Sequence, residues 1–329
     1  MELILRLPPR AQAIAKNPTA WPMIKIANTK PSLSLSIIKE AVRDSSLPSL
    51  HDPETFCQKL FDLETVIGTC PALLIGLLIA DGDTAPEKLL SGLDNFEEAK
   101  RAIKERIAKY QYLQYQSPDE DLYPWALTDA VYKPLWIKSP SPERINDISL
   151  LLRLSKNRNA ENAIGRHRGP NCIYSAAMVT LFALSQGLIS AEARKYPSIH
   201  PFSYFEHMGQ GYLFEYNGIW PSTSCADNHE AEKLLTITHP FSLIAAYLTS
   251  NATKFVRRKM VLTPDEKEMV REKLACAETI NPFHSRIYEM LATVSEQEEA
   301  CVIYTNYHEA LEAYGQHQHA ARSRIALAA

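Results

Sequence analysis

This chain has little glycine, little cysteine and no long apolar run. Its 329 residues include 11 glycines, and none of these forms a G-x-G-x-x-G or P-loop pattern, so a glycine-rich phosphate-binding loop is excluded. The six cysteines are scattered without C-x-x-C pairs, which is typical of reduced thiols in a cytosolic protein. The most apolar run, Cys70–Ala80, has 11 residues, whereas a membrane-spanning helix needs about 20. We therefore expect a buried core helix there and no membrane partner.

The chain also has no excess of positive charge. It carries 35 Lys and Arg against 38 Asp and Glu, a net charge of −3, so no nucleic-acid partner is expected. The first 18 residues lack the basic start, apolar core and cleavage site of a secretory signal. We expect a cytoplasmic location, or delivery into a host cell if the chain is a bacterial effector. With 46% hydrophobic and 22% charged residues, the composition is that of a folded globular protein.

Helical patterns dominate the first part of the chain. A short helix is predicted near Ser34–Asp44, and Asp52 with Pro53 marks the start of a second one. A further helix is predicted over Asn95–Tyr112, where opposite charges recur at i, i+4. The segment SPSPERI then marks a boundary. We divide the chain into a mainly helical region (1–142), a central domain (143–240) and a C-terminal helical region (241–329).

The central domain contains Cys172, at the mouth of a buried helix. The run CIYSAAMVTLFALSQG is apolar almost all round and ends at Gly187, and a helix of that kind is buried. The preceding Gly-Pro-Asn loop puts Cys172 in the first turn, where the helix dipole favours a thiolate. Its backbone N–H is also available to a developing oxyanion. The alternative interpretation is a buried, inert cysteine.

Three short strands are predicted after this helix, and they carry two candidate bases. The strands are HPFSYFEHM, GYLFEY and IWPST, with a hairpin turn at Asn217-Gly218. We prefer His207 as the base that takes the thiol proton, because one hairpin would then present both His207 and a residue beyond Trp220. His200 remains the alternative, since it starts the preceding strand. From His229 onward the pattern predicts only helices.

Asp227 is the preferred carboxylate to orient the imidazole, since it follows the third strand. Its alternative role is to cap the next helix, and both roles are compatible. Glu215 is a weaker candidate on a strand. A zinc site built from Cys225, His229, His239 and Cys172 is disfavoured, because one side lacks the closely spaced pair that zinc sites use. We expect no metal and no cofactor.

The C-terminal helices show weak internal repetition. A Tyr-x-x-Leu-Ala helix with Tyr288, Leu291 and Ala292 precedes a second helix with Tyr307 and Ala310-Leu311. This unit resembles a degenerate tetratricopeptide repeat about one residue shorter than the usual ~34. A repeat of that kind implies a protein partner on these helices.

At Cys172, His207 and Asp227 the chain resembles the transglutaminase-like branch of the papain-type cysteine fold. The resemblance rests on the loop before Cys172, the helix from Ile173 to Gly187, a strand histidine and the segment HPFSLIAAYLTSNATKF, and it covers residues 166–311. It implies an α+β, mostly helical protein whose papain/transglutaminase-like core holds a small antiparallel sheet, flanked by N- and C-terminal helical regions. Pro170, inserted before Asn171-Cys172, departs from the pattern of that family.

These residues and the resemblance lead to two candidate functions. The first is a thiol-dependent amide hydrolase or acyl transferase (protease, deamidase or transglutaminase type) that uses Cys172, His207 and Asp227 on a protein or peptide substrate. The second is a non-catalytic interaction scaffold, in which the central domain is a platform and the C-terminal helices bind a partner. The two differ in the reactivity of Cys172.

Overall fold

The computed structural model describes residues 33–44, 46–82, 84–114, 123–132, 148–156, 172–188, 190–195, 201–215, 218–221, 235–259, 261–281 and 284–313. These residues are mostly helical with an antiparallel sheet, which confirms the α+β class at that level. The helices are α1 (Leu35–Asp44), α2 (Pro53–Ile67), α3 (Thr69–Asp81), α4 (Pro86–Gln114), α5 (Tyr123–Tyr132), α6 (Ile148–Ser155), α7 (Cys172–Ser185), α8 (Ser242–Arg258), α9 (Pro264–Ile280), α10 (Ser285–Val294) and α11 (Gln297–Ala313). The strands are β1 (Ser190–Lys195), β2 (Pro201–His207), β3 (Gln210–Glu215), β4 (Gly218–Pro221) and β5 (Leu235–Thr238).

Local signals account for where several helices begin and end. The Asp52 carboxylate accepts a hydrogen bond from the Thr55 N–H at the start of α2, with Pro53 in the first turn, as predicted. Helix α3 is the apolar run, and its residues 72–80 are all buried. It ends at Gly82, whose φ of 101° suits a residue without a Cβ. None of the helices in the described ranges has the length and hydropathy to cross a membrane.

Helix α4 is longer than predicted, since it starts at Pro86 and not at Asn95. The reason is tertiary packing at Gly92, a residue that weakens an isolated helix. A Cβ at Gly92 would come within 2.4 Å of the Leu78 Cδ1, so the glycine allows α4 to pack closely on α3. The helix propensity of the residues around Gly92 therefore does not indicate that α4 begins at Pro86.

The sheet has the order β4-β3-β2-β1-β5, and all neighbouring strands are antiparallel. Strands β2, β3 and β4 match the prediction. Gly218, predicted to be part of the hairpin turn, is instead the first residue of β4 and pairs with Glu215. The prediction of helices alone after His229 is wrong, since Leu235–Thr238 forms β5. Strand β1 was also not predicted, because SAEARK has no large apolar side chain to mark a buried face.

Three buried helices fix the orientation of the centre of the molecule. The Cys70 thiol at the start of α3 donates to the Leu181 carbonyl near the end of α7 (3.4 Å). At the other end, Tyr247 of α8 donates to Asp81 and its ring contacts the Tyr174 ring near the start of α7 (4.6 Å between centroids). Helix α7 thus runs antiparallel to both α3 and α8.

Helix α9 begins at a capping box, in which Thr263 and Glu266 exchange side-chain and backbone hydrogen bonds. Tyr288 of α10 stacks on Tyr307 of α11, with ring centroids 4.4 Å apart. The tetratricopeptide-like assignment and the three-part division of the chain stay predictions. Buried apolar residues of α3, α7 and α8 belong to one hydrophobic cluster, although these helices come from three different regions of that division.

Candidate functional site

Cys172 is the first residue of α7, as the sequence predicts, and its side chain is half-buried. Residues 174–183 behind it are all buried, so the middle of the helix is held in the core, whereas Cys172 and Ile173 at its start are half-buried, as are Leu184 and Ser185 at its end. The thiol therefore lies where the N–H groups of a helix start and the positive end of its dipole act together.

Two other thiols have the properties of structural cysteines. Burial raises the pKa of the Cys70 thiol to about 12, and burial raises the pKa of the Cys276 thiol to about 12 as well. Both donate to a backbone carbonyl, of Leu181 and Leu50 respectively. Their positions inside the helix packing explain why they remain thiols at neutral pH.

The first turn of α7 is fixed by the side chain of Tyr174. The Tyr174 hydroxyl donates to the Asn251 Oδ1 (2.8 Å) and accepts from the Lys254 Nζ (3.4 Å). The Lys254 ammonium also lies 4.8 Å from the centre of the Tyr174 ring. Three contacts from α8 thus hold the residue two positions after Cys172.

Asp81 completes this polar cluster. Its carboxylate accepts from the Tyr247 hydroxyl and from the Ile148 N–H at the start of α6 (2.9 Å). Burial raises the pKa of Tyr247 above its usual range, with the charges of its neighbours acting in the same direction. The hydroxyl therefore stays protonated and donates.

The members of this cluster are not among the site residues predicted from the sequence. Asp81 directly follows the apolar run, and Tyr247 and Asn251 lie one turn apart in α8. Those positions are visible in the sequence as polar residues within apolar helices, but nothing local indicates that they meet.

His207 is the last residue of β2, and its imidazole stacks on the Tyr123 ring at the start of α5. The ring centroids are 4.4 Å apart and the planes differ by 11°. The residue pairs with Gln210 across a two-residue turn formed by Met208 and Gly209. His207 thus lies at the tip of the β2–β3 hairpin.

One hydrogen bond between α7 and β2 gives a common reference point for the positions of Cys172 and His207. The Thr180 and Ser203 hydroxyls are hydrogen-bonded at 2.8 Å. Cys172 lies eight residues before Thr180, about 12 Å along the helix axis. His207 lies four residues after Ser203, about 13 Å along the strand. The two side chains meet only if β2 runs antiparallel to α7.

The connection from α7 to β1 indicates that β2 instead runs in the same direction as α7. The Leu188 N–H donates to the Ala183 carbonyl in the last turn of α7, and Ser190 then pairs with Phe205 of β2. The end of β2 therefore lies beside the end of α7.

The contacts of strand β5 also indicate which end of the sheet lies at the end of α7. His239, directly after β5, has its Nε2 3.2 Å from the Glu64 Oε1, and Glu64 also accepts from Thr69 beside Cys70. Since Cys70 bonds to Leu181, the end of β5 lies at the end of α7. Thr238 pairs with Glu192 near the start of β1, so β1 also starts on that side.

These contacts separate two residues that the predicted triad combines. His207 lies at the Ser185 end of α7, whereas Cys172 is at the other end. The start of β2, at Pro201, is directed toward the Cys172 end. The preference for His207 over His200 rested on hairpin spacing, and the assignment of either histidine as the base stays a prediction.

The remaining predicted site residues are less fully described. Asp227 and His200 lie outside the described residues, as do Cys225 and His229. Glu215 ends β3 and pairs with Gly218. His239 is at the Ser185 end of α7, where its Nδ1 accepts from the Phe241 N–H. Within the described ranges no cluster of three or more potential metal ligands is found.

No protein-family model matches this chain, and comparisons with curated proteins and with solved structures give no match either.

Proposed function

We propose that this chain is a thiol-dependent amide hydrolase or acyl transferase with a papain/transglutaminase-like core, in which Cys172 is the nucleophile. The observation that carries the proposal is the position of Cys172 as the half-buried first residue of a helix whose residues 174–183 are all buried. A helix start lowers the pKa of a cysteine and supplies N–H donors for an oxyanion. The antiparallel sheet next to α7 is the place where such folds hold the base.

The direction of β2 favours His200 as the base in this proposal. His200 directly precedes Pro201 in the chain, and Pro201 begins the strand at the end directed toward Cys172. His207, stacked on Tyr123 at the other end, is then a structural residue of the hairpin. Asp227 keeps its proposed role of accepting from the imidazole.

The proposed reaction has two stages. The imidazole takes the thiol proton, the thiolate attacks the amide carbonyl, and the protonated imidazole gives its proton to the leaving amine. The backbone N–H of Cys172 donates to the oxyanion. A water molecule then releases the acyl group as an acid, or an amine releases it as a new amide, and the thiol is regenerated with the proton from that nucleophile.

The test is the alkylation of Cys172 by iodoacetamide at pH 6, measured by peptide mass spectrometry. A thiol with an ordinary pKa reacts slowly at this pH, so we expect His200→Ala to reduce the rate about 10- to 100-fold. The matched variant His207→Ala should leave the rate within about two-fold. An unreactive Cys172 in the unmodified chain would exclude the mechanism and leave the scaffold as the remaining function. Equal rates in both histidine variants would remove His200 as the base.

A further inference from the structure

Tyr174 is the first fully buried residue of α7. Cys172 and Ile173 before it are half-buried, whereas the Tyr174 side chain lies entirely inside the fold. The first turn also contains no acidic residue, so it lacks the stabilisation that a carboxylate gives to the start of a helix. Contacts of Tyr174 with the rest of the fold therefore contribute to keeping this turn helical.

Helix α8 presents three side chains to Tyr174. Residues 247, 251 and 254 follow the i, i+4, i+7 spacing that places side chains on one face of a helix. The Tyr247 ring contacts the Tyr174 ring, with centroids 4.6 Å apart. The Tyr174 hydroxyl donates to the Asn251 Oδ1 (2.8 Å) and accepts from the Lys254 Nζ (3.4 Å). Asp81 accepts from the Tyr247 hydroxyl, so the end of α3 holds this face of α8 in place.

Tyr174 does not face Cys172, so its effect on the thiol must pass through the backbone. Residues two positions apart lie on different sides of a helix, and the phenol and the thiol therefore point in different directions. Both side chains belong to the first turn, whose N–H groups have no acceptor within the helix. The direction of these N–H groups depends on the turn remaining helical, and helix ends fray when they are not held.

We propose that Tyr174 is a positioning residue for Cys172. Its hydroxyl, held by Asn251 and Lys254, keeps the N–H groups of the first turn directed at the sulfur and at the oxyanion. The contact thereby favours the thiolate over the thiol. This role rests on the proposed function and specifies what controls its nucleophile. Loss of the contact should shift the pH at which Cys172 becomes reactive, which a contribution to stability alone would not do.

The experiment measures the rate of Cys172 alkylation by iodoacetamide from pH 5 to pH 10, by peptide mass spectrometry. The thiolate is the reactive form, so the midpoint of the profile reports how strongly the protein favours it. Tyr174→Phe keeps the buried ring and removes the hydroxyl. We expect a rate about 3- to 10-fold lower at pH 6 but no lower at pH 10, where both proteins carry the thiolate.

A double-mutant cycle tests whether Asn251 and Lys254 act through the Tyr174 hydroxyl. Asn251→Ala and Lys254→Met should each shift the profile in the same direction as Tyr174→Phe. Combined with Tyr174→Phe, neither should change the rate at pH 6 by more than about two-fold further, because the hydroxyl that they contact is already absent. Full additivity would show that the two residues act on the thiol independently, and would overturn the positioning role.

Two controls separate this effect from a loss of stability. Tyr288→Phe removes the hydroxyl of another buried tyrosine, in α10, which donates to Glu278, and it should leave the Cys172 profile unchanged. The buried thiols of Cys57 and Cys276 report unfolding in the same samples, and they should stay unlabelled at pH 6 in Tyr174→Phe.

The outcomes distinguish this role from the proposed function. A Tyr174→Phe profile that coincides with that of the unmodified chain would overturn the positioning role alone. An equal loss of rate at pH 6 and pH 10 would do the same, because it would show an effect on access and not on the thiolate. An unreactive Cys172 in the unmodified chain at every pH would overturn the proposed function.

Discussion

Met208 has a left-handed backbone conformation, which a methionine side chain disfavours. It lies at the tip of the β2–β3 hairpin with a φ of 50°, followed by Gly209 with a φ of 79°. Two consecutive positive φ values are those of a type I′ turn, which favours Asn-Gly. The Met208 side chain is 85% exposed, so packing does not offset the strain of a left-handed backbone.

We expect Met208→Asn to raise the free energy of unfolding by about 0.5–1 kcal/mol, because asparagine tolerates this conformation. Urea unfolding measures the change. Met208→Ala is the control, since it removes the same exposed side chain but keeps a Cβ that disfavours positive φ. A gain of the same size in the alanine variant would show that backbone strain is not the cause.

The contact between helices α9 and α10 includes the carboxyl group of Glu278, and the folded protein favours the protonated form of this group. The Tyr288 hydroxyl of α10 donates to the Glu278 Oε1 of α9 (3.0 Å). Burial raises the pKa of Glu278, and the hydrogen bond from Tyr288 only partly opposes this. The contribution of Glu278 to stability is therefore present below its unfolded pKa of about 4.3 and is lost as the pH rises through its higher folded pKa.

Glu278→Gln keeps an acceptor for Tyr288 and carries no charge at any pH. We expect it to be more stable than the unmodified protein by about 1 kcal/mol at pH 8 and equal to it near pH 4. Urea unfolding at pH 4, 6 and 8 measures the difference. Tyr288→Phe should show the opposite trend, with a larger loss at pH 8, because the carboxylate then loses its donor. A difference between Glu278→Gln and the unmodified protein that does not vary with pH would contradict this account.

For the molecule as a whole, α3 joins the N-terminal region to the rest of the fold. It packs against both α7 and α8: Cys70 bonds to Leu181, and a Cβ at Gly76 would come within 2.4 Å of the Ile244 Cδ1. Residues 72–80 of α3 are all buried, and their partners on α7 and α8 would be exposed without them.

We expect a chain that starts at residue 143 to lack a cooperative unfolding transition, measured by circular dichroism in urea. Removal of α3 uncovers apolar surface of α7 and α8 at about 25 cal/mol per Å². Addition of the separate fragment 1–142 should restore the transition, which distinguishes loss of packing from a failure to fold for other reasons. Cooperative unfolding of the 143–329 fragment alone would instead support the division into independent domains.

Much of the architecture was predictable because its causes are local. The cap at Asp52-Pro53, the apolar run that forms α3 and the position of Cys172 at the start of α7 each depend on residues within one or two turns. Strands β2 to β4 were predictable for a similar reason, because aromatic residues and turn signals alternate there. Strands β1 and β5 were not, since short polar strands exist only through their partners.

Residue order is enough to indicate which side chains could bear the proposed chemistry: a thiol at a helix start, two histidines and an aspartate. The direction of β2 relative to α7, and with it the end of the strand that is directed toward Cys172, depends on how the elements pack. The same packing brings Asp81, Tyr247 and Lys254 together around the first turn of α7. The sequence predicts the first set of features because periodicity and capping depend on a few neighbouring residues. Strand order and helix direction are decided only in the tertiary structure, because they depend on the burial of surfaces that are far apart in the chain.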